Sequence, residues 1–301
     1  MGGKLRAVKR RIGSVKSTQK ITRAMELIAS SRIVKAQRRV EAARPYAEQM
    51  RNLMASVARN AGNLDHPLLK KREGSGKVGM VVVAGDRGLA GAYNSNVIRA
   101  AERDMRDHAD TELFLSGKKA ISYFKFRGYD FTESWQGYSD QPGIEHARKV
   151  AQSAVKAFAE GKIDEVRLAY TKYESALTQR PVVLKLLPAE TEDIQGDEDS
   201  GSHANYVFEP EPEDILGYLL PRYIEGAVLQ AMLEAAASEH AARRRAMKAA
   251  TDNADELIDS LTRDYNQARQ AEITTEIMEV IGGAEALSAA ETESGLDEVV
   301  R

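Results

Sequence analysis

Hydrophobic residues recur every three or four positions over the first sixty residues of the chain, which is the spacing of one face of an α-helix. After a slip near residues 18–22 the repeat resumes and continues beyond residue 40. Its members include Leu5, Val8, Ile12, Val15, Ile21, Met25, Ile28, Ile33, Ala36 and Val40. A sustained seven-residue repeat is typical of a helix that coils around a partner helix. We therefore expect a long coiled-coil helix over residues 1–62, bent locally at Pro45.

The C-terminal third of the chain shows the same spacing. Residues 227–281 contain neither Gly nor Pro, and their apolar seam is rich in alanine. The seam comprises Leu229, Leu233, Ala236, His240, Arg243, Met247, Ala250, Ala254, Leu257 and Leu261. We expect a second coiled-coil helix over residues 213–287, followed by an acidic tail over residues 288–301 that is frayed or loosely helical. Because the two helices are of similar length and stand at opposite ends of the chain, we expect them to pair antiparallel.

A different pattern separates the two predicted helices. Short apolar runs alternate with helical stretches, which predicts an α/β layer with a mostly parallel, Rossmann-like sheet. The predicted strands are Val78–Ala84, Glu112–Leu115, Glu165–Tyr173 and Arg180–Leu187. Residues 189–210 follow as an acidic connector with one short strand at residues 206–208. The predicted fold class is thus α/β, with a long antiparallel coiled coil of N- and C-terminal helices plus a Rossmann-like α/β domain over residues 76–210.

Charge is distributed unevenly along the chain, although the net charge is only −2. Residues 1–60 carry fifteen Lys and Arg against three Asp and Glu, whereas the segment between Lys185 and Arg222 carries ten acidic residues and no basic one. A basic helix is also the electrostatic footprint of nucleic-acid-binding proteins, so a coiled-coil nucleic-acid-binding protein stays open as an alternative. No apolar run is long enough to span a bilayer, so we expect any membrane contact to come through partners.

The sequence offers little that points to catalysis. The turn Gly85–Gly91 follows a predicted strand, but it matches neither GxGxxG nor GxxxxGK[ST]. We interpret it as a tight turn that packs a helix against a strand, with nucleotide binding as the alternative. The chain has no cysteine, and its five histidines lack metal-ligand spacing, so we expect no cofactor, no metal site and no catalytic residue. A stand-alone α/β enzyme with a coiled-coil dimerisation arm would require a pocket with convergent polar groups, which the sequence does not display.

Several sequence blocks resemble one known family. The block KSTQKITRAMELIASSR at residues 16–32 is similar to the N-terminal helix signature of the γ subunits of F-type ATP synthases. Further matching blocks, in the family's order, are ARPY at 43–46, DRGLAG at 86–91, AMKAATDN at 246–253, ARQAEIT at 268–274 and IGGA at 281–284. The chain therefore resembles the bacterial ATP synthase γ subunits over nearly its whole length.

The resemblance implies a non-catalytic rotor subunit that couples proton flow through a membrane sector to ATP synthesis or hydrolysis. It implies as partners three α and three β subunits, an ε subunit and a c-ring. It also implies a peripheral membrane protein on the cytoplasmic face of the bacterial plasma membrane, with no nucleic acid bound. The positions that match family contacts with the α/β hexamer are Met25, Arg243, Arg269, Gln270, Thr274 and Glu276. Tyr206 and Glu209 match the foot of the subunit near the c-ring and ε.

Overall fold

The computed structural model describes residues 2–60, 67–69, 76–108, 110–189 and 212–298. A long helix stands at each end of the chain, and strands alternate with shorter helices between them. In chain order the elements are α1 (Gly2–Asn60), β1 (Val78–Val83), α2 (Tyr93–Met105), β2 (Thr111–Ser116), α3 (Lys118–Phe126), β3 (Glu133–Trp135), α4 (Ile144–Ala159), β4 (Glu165–Tyr173), β5 (Gln179–Leu187) and α5 (Pro212–Glu298).

The strands form one mixed sheet in the order β3-β2-β1-β4-β5. β1 pairs parallel with both β2 and β4, β3 pairs parallel with β2, and β5 pairs antiparallel with β4. Every residue of β1 is buried, as expected of a Val-rich central strand that helices cover on both faces. The predicted Rossmann-like α/β layer is confirmed. β3 was not predicted, because three residues at a sheet edge are too few to show a periodic pattern.

Each face of the sheet carries its own hydrophobic core. On one face, Val82 and neighbouring strand residues pack against α2 and α3, with Phe124 fully buried. On the other face, Phe114 packs against α4 and against the first part of α5, which contributes Ile224 and Val228. Burial of these side chains is the main source of stability for the α/β part of the chain.

The chain divides into two compact units, Glu26–Met247 and Met1–Met25 with Lys248–Arg301. In the first unit α1 and α5 pack against each other through the buried residues Ile33, Ala36, Val40, Leu233, Ala237 and Ala241. In the second unit Gln19 Nε2 donates to Asp255 Oδ1, and the hydroxyl oxygens of Thr22 and Thr251 lie 2.8 Å apart. As the residue number rises along α1, from Gln19 to Thr22, the number of the partner on α5 falls, from Asp255 to Thr251. The predicted antiparallel pairing of the terminal helices is therefore confirmed.

Helix α5 continues beyond the predicted end of the C-terminal helix at residue 287. Its backbone is helical as far as Glu298, so most of the predicted tail belongs to the helix. The strong helix formers Ala and Glu in residues 288–298 outweigh the cost of Gly295. Pro45 lies inside α1 without ending it. The strand predicted at residues 206–208 lies outside the described residues. Among the helices that the structure describes, none has an apolar stretch that could cross a membrane.

Candidate functional site

The carboxyl edge of the sheet is a candidate ligand-binding position in this fold. In open α/β sheets, ligands bind outside the carboxyl ends of the strands, at the point where the strand order reverses. Here the order reverses at β1, because β2 lies on one side of it and β4 on the other. The loop Gly85–Gly91, singled out in the sequence as a possible phosphate-binding turn, follows β1 at this point.

The first backbone N–H groups of this loop are already bonded within the chain. Gly85 N donates to Asn94 Oδ1 at 2.8 Å, and Asp86 N donates to Ser139 Oγ at 3.0 Å. The Asp86 carboxylate in turn accepts the backbone N–H groups of Lys118 at 2.9 Å and Ser139 at 3.2 Å. The N–H groups of Gly85 and Asp86 are therefore unavailable to a phosphate, and Asp86 joins the end of β1 to the start of α3.

A carboxylate from α5 fills the space in front of the loop. The side chain of Glu239 is only 3% exposed, and a Cβ atom added to Gly85 would lie 2.9 Å from Glu239 Oε2. Burial raises the pKa of Glu239, while Arg243 Nη2, at 2.5 Å from Glu239 Oε1, acts in the opposite direction. Because a nucleotide phosphate is anionic, a carboxylate in this position opposes its binding. The packing agrees with the interpretation of Gly85–Gly91 as a tight turn.

Other side chains of α5 bind the carboxyl end of β4 and the turn that follows it, at the same edge of the sheet. Ser238 Oγ donates to the carbonyl oxygen of Thr171 at 3.2 Å, and Glu234 Oε2 accepts the backbone N–H of Tyr173 at 3.3 Å. Arg245 donates to two carbonyl oxygens of the turn between β4 and β5, at 3.0 and 3.2 Å. The edge of the sheet thus holds a helix of its own chain. Within the described residues, no group of His, Cys, Asp or Glu side chains could hold a metal ion.

The predicted partner-contact residues near the C-terminal end of α5 are exposed. Arg269 and Glu276 are two helical turns apart, so they lie on the same side of α5, about 10 Å from each other. Gln270 and Thr274 are one turn apart on the adjoining side, where Thr274 Oγ1 donates to the Gln270 carbonyl oxygen at 2.9 Å. The Arg269 side chain makes no hydrogen bond or ion pair with any other described residue. These polar groups are accessible to another protein.

The other predicted contact residues lie elsewhere. Met25 is half-buried on α1 and belongs to the same unit as the four residues on α5. Arg243 belongs to the unit Glu26–Met247 and is only 7% exposed, with its Nη2 donating to the Gly88 carbonyl oxygen at 3.2 Å. The structure gives Arg243 a packing role within the chain, and its contact with another subunit stays a prediction. Tyr206 and Glu209 lie outside the described residues.

Comparison with known proteins identifies the family. The model of the ATP synthase family described as "ATP synthase" matches residues 4–287. The ATP synthase gamma chain of Mycolicibacterium smegmatis is 47% identical over 306 residues, which cover 96% of this chain and 99% of that protein. The chain belongs to the ATP synthase gamma chain family. Another gamma chain, from Acidothermus cellulolyticus, is 47% identical over 97% of this chain and 100% of its own length.

A solved structure supports the fold independently of close sequence similarity. A chain of the Euglena gracilis mitochondrial ATP synthase, from an assembly of OSCP, F1 and c-ring, has a TM-score of 0.68 and 19% identity and covers 97% of each chain. At this identity the likeness shows the fold alone. It agrees with the two long helices and the α/β sheet seen in this member of the gamma chain family.

Sequence reasoning missed the roles of three acidic residues in this gamma chain family member: Asp86, Asp140 and Glu239. The spacing of Glu239 and Arg243, opposite charges one helical turn apart within an apolar seam, was a signal for a buried ion pair. Asp140 gave no such signal, because its partners Arg32 and His240 are distant in the sequence.

Proposed function

We propose that this chain is the non-catalytic central-stalk subunit of an F-type ATP synthase, coupling proton flow to ATP synthesis or hydrolysis by rotation. The observation that carries the proposal is the 47% identity to the gamma chain of Mycolicibacterium smegmatis over 96% of this chain. Identity at that level, over the whole length of both proteins, supports a shared role as well as a shared fold.

The surface of α5 has the asymmetry that a rotor needs. Three chemically identical β subunits can differ in state only if each meets a different side of the rotor, because a ligand shifts an equilibrium only by binding the two states unequally. Arg269 and Glu276 lie on one side of α5, and Gln270 and Thr274 on the adjoining side. As the helix turns, each β subunit meets these polar groups in sequence and shifts between open and closed populations.

The same part of α5 also carries exposed apolar residues. Ile277, Val280 and Ile281 are 52%, 73% and 48% exposed. Apolar contact is non-directional, so such a surface slides past a neighbouring chain without breaking ion pairs. The proposed sliding surface of α5 is therefore apolar at Ile277, Val280 and Ile281. The few polar groups near it make contacts that depend on the rotational position of the helix.

The packing at the sheet edge supports a non-catalytic role. Glu239 fills the space in front of Gly85, and Asp86 bonds the start of α3 beside it. This packing supports the proposal that the residues that hydrolyse ATP belong to the partner subunits. The proposed partners are three α and three β subunits, an ε subunit and a c-ring. The c-ring provides the membrane association on the cytoplasmic face of the plasma membrane.

We propose the following division of labour along the chain. Residues 1–62 and 213–287 form the coiled-coil shaft, and residues 76–210 form the α/β domain outside the hexamer. The foot at Tyr206 and Glu209 lies near the c-ring and ε. This assignment rests on the resemblance of the sequence blocks to the gamma chain family.

The nucleic-acid alternative receives no support from the comparisons, which identify ATP synthase gamma chains. Some of the basic residues of α1 also bind the chain itself. Arg32 Nη1 lies 2.6 Å from Asp140 Oδ1, and Arg39 Nη2 donates to Gln141 Oε1 at 3.2 Å. These two arginines bind groups of their own chain, so they are not available for contacts with phosphate.

Reconstitution tests the proposal. The purified chain alone is expected to hydrolyse no ATP, whereas its addition to α and β subunits that lack a gamma chain is expected to restore ATP hydrolysis. Failure to increase hydrolysis in that mixture would count against the rotor. Duplex DNA binding whose log affinity falls with log salt by about 0.9 per phosphate contacted would favour the alternative.

A further inference from the structure

Five side chains of the unit Glu26–Met247 form a continuous series of polar contacts, which we call the polar relay: Glu239, Arg243, His240, Asp140 and Arg32. Arg243 Nη2 lies 2.5 Å from Glu239 Oε1, and Arg243 Nη1 lies 3.4 Å from His240 Nδ1. His240 Nε2 lies 3.3 Å from Asp140 Oδ1, and that oxygen lies 2.6 Å from Arg32 Nη1. The polar relay thus runs from α5, through the segment between β3 and α4, to α1.

The chemistry of the polar relay fixes the role of each member. A guanidinium has only donors, so His240 Nδ1 must accept from Arg243 and the ring proton must lie on Nε2. That N–H faces the Asp140 carboxylate, which accepts from Arg32 as well. The neutral imidazole therefore links a cation on one side to an anion on the other. Two of the four contacts, those of Arg243 with Glu239 and with His240, lie within α5. The other two, His240–Asp140 and Arg32–Asp140, join α5 and α1 to the segment that carries Asp140, so they depend on how these elements are arranged.

The polar relay is anchored to the sheet at two loops. At one end, Glu239 packs against Gly85, and Arg243 Nη2 donates to the Gly88 carbonyl oxygen at 3.2 Å. In the middle, Asp140 belongs to the loop that Asp86 holds through the backbone N–H of Ser139. Both terminal helices are thereby bonded to the loops that follow β1 and β3.

The apolar contacts around the polar relay cannot supply the same positional information. The buried contact between α1 and α5 is made by apolar side chains, which are Ile33, Val40 and Leu233 as well as Ala36, Ala237 and Ala241. Apolar contact is non-directional, whereas hydrogen bonds require a narrow range of distance and angle. Buried ion pairs also add little net stability compared with well-packed apolar residues, and fixing a register is their best-attested use.

We propose that the polar relay fixes the rotational position of α1 and α5 on the α/β sheet and so transmits torque between the helix pair and the α/β domain. This inference rests on the proposed rotor function. The five residues are positioning residues, since none of them touches a nucleotide.

The functional test uses the whole enzyme reconstituted in vesicles with the chain carrying Asp140→Asn or His240→Leu. The readout is the ratio of ATP-driven proton pumping to ATP hydrolysis, which loss of torque lowers and mere loss of folded subunit does not. Loss of a partly exposed ion pair changes the balance between two registers by about two- to fivefold, and we expect a fall of that order in the ratio under load. Asp130→Asn, the same chemical change at an exposed carboxylate, is expected to leave the ratio unchanged.

A structural test measures the register directly. Because the chain has no cysteine, Lys35→Cys on α1 and Lys125→Cys on α3, both exposed, place two spin labels and no others. Pulsed electron–electron double resonance on the full chain is expected to give one narrow distribution of label-to-label distances with the native polar relay. With Asp140→Asn the distribution is expected to be broader or shifted. If His240→Leu does not fold, Asp140→Asn decides both tests.

The outcomes distinguish failure of the polar relay from failure of the proposed rotor function. An unchanged pumping-to-hydrolysis ratio and an unchanged distance distribution in Asp140→Asn would overturn the inference while leaving the rotor intact. If the unsubstituted chain fails to restore hydrolysis to α and β subunits, the proposed function fails. The distance measurement then still decides whether the polar relay sets the register.

Discussion

The burial of His240 predicts that this chain loses stability in mildly acidic solution. His240 is 2% exposed, and its pKa is lowered from the ordinary value of 6.5 to about 4. Burial is the largest cause, the cations Arg243 and Arg32 act in the same direction, and Asp140 opposes them. The unfolded chain therefore binds a proton at His240 more tightly than the folded chain does.

The sign and the size of the effect follow from this difference in pKa. Because the folded pKa is depressed, the stability is fully present above about pH 6.5 and is lost as the pH falls toward 4. The full loss corresponds to about 3 kcal/mol, and about 2 kcal/mol of it is already lost at pH 5. Burial raises the pKa of Glu239, so this residue changes the free energy of unfolding with the opposite sign as the pH falls. The two proteins that are compared must therefore both contain Glu239.

The assay compares the native chain with His240→Gln, which cannot be protonated in this range. Urea unfolding is followed by the fluorescence of Trp135, the single tryptophan, which packs against the core of the α/β part. Between pH 7.5 and pH 5, the native chain is expected to lose about 2 kcal/mol more than the variant. Equal losses in the two proteins would refute the assignment of a buried, neutral His240, since Glu239 is present in both.

Three further predictions concern the sheet and the rotor surface. Gly117→Ala is expected to abolish stable folding, because φ is +104° and the added Cβ would lie 2.1 Å from the Ala84 carbonyl oxygen. Gly128→Ala, where φ is +77° and the space is open, is expected to lower the free energy of unfolding by only about 1 kcal/mol. The denaturant midpoints of the two variants distinguish these outcomes. Met25→Lys is expected to leave the fold intact but to lower the number of protons pumped per ATP, and equal pumping would remove Met25 from the interface. Arg269→Ala is expected to leave the thermal unfolding midpoint of the chain unchanged and to lower turnover of the assembled enzyme about tenfold, which is the effect of losing a hydrogen bond to a charged group. Arg263→Ala, at another exposed arginine of α5, is the matched control and is expected to leave turnover unchanged.

Much of the fold was predictable because it follows from local patterns. The apolar seam of the C-terminal helix was predicted from spacing alone, and Leu233, Ala236, Met247 and Leu261 are buried, whereas Leu257 of the same predicted seam is 39% exposed. The Val-rich run at β1 was predicted as a buried strand and is one. Each of these signals is contained in a short window of sequence, where the period of the side chains reports the backbone conformation.

The candidate site divides differently between sequence and structure. Arg269 and Gln270 were predicted from the resemblance of their sequence block to a family, and the structure adds that both are exposed on α5. The turn Gly85–Gly91 was interpreted from the sequence as a packing turn, with nucleotide binding as the alternative. The arrival of Glu239 from a helix far along the chain favours the packing turn.

The sequence by itself determined the terminal helices, the α/β layer and the family, because periodicity and motif order are properties of neighbouring residues. Only the tertiary structure decided that Arg32, Asp140 and His240 meet, and that the ligand edge of the sheet holds the chain's own helix. The physical reason is that a contact between residues a hundred positions apart depends on how the elements pack, and that packing leaves no periodic trace around any one of them.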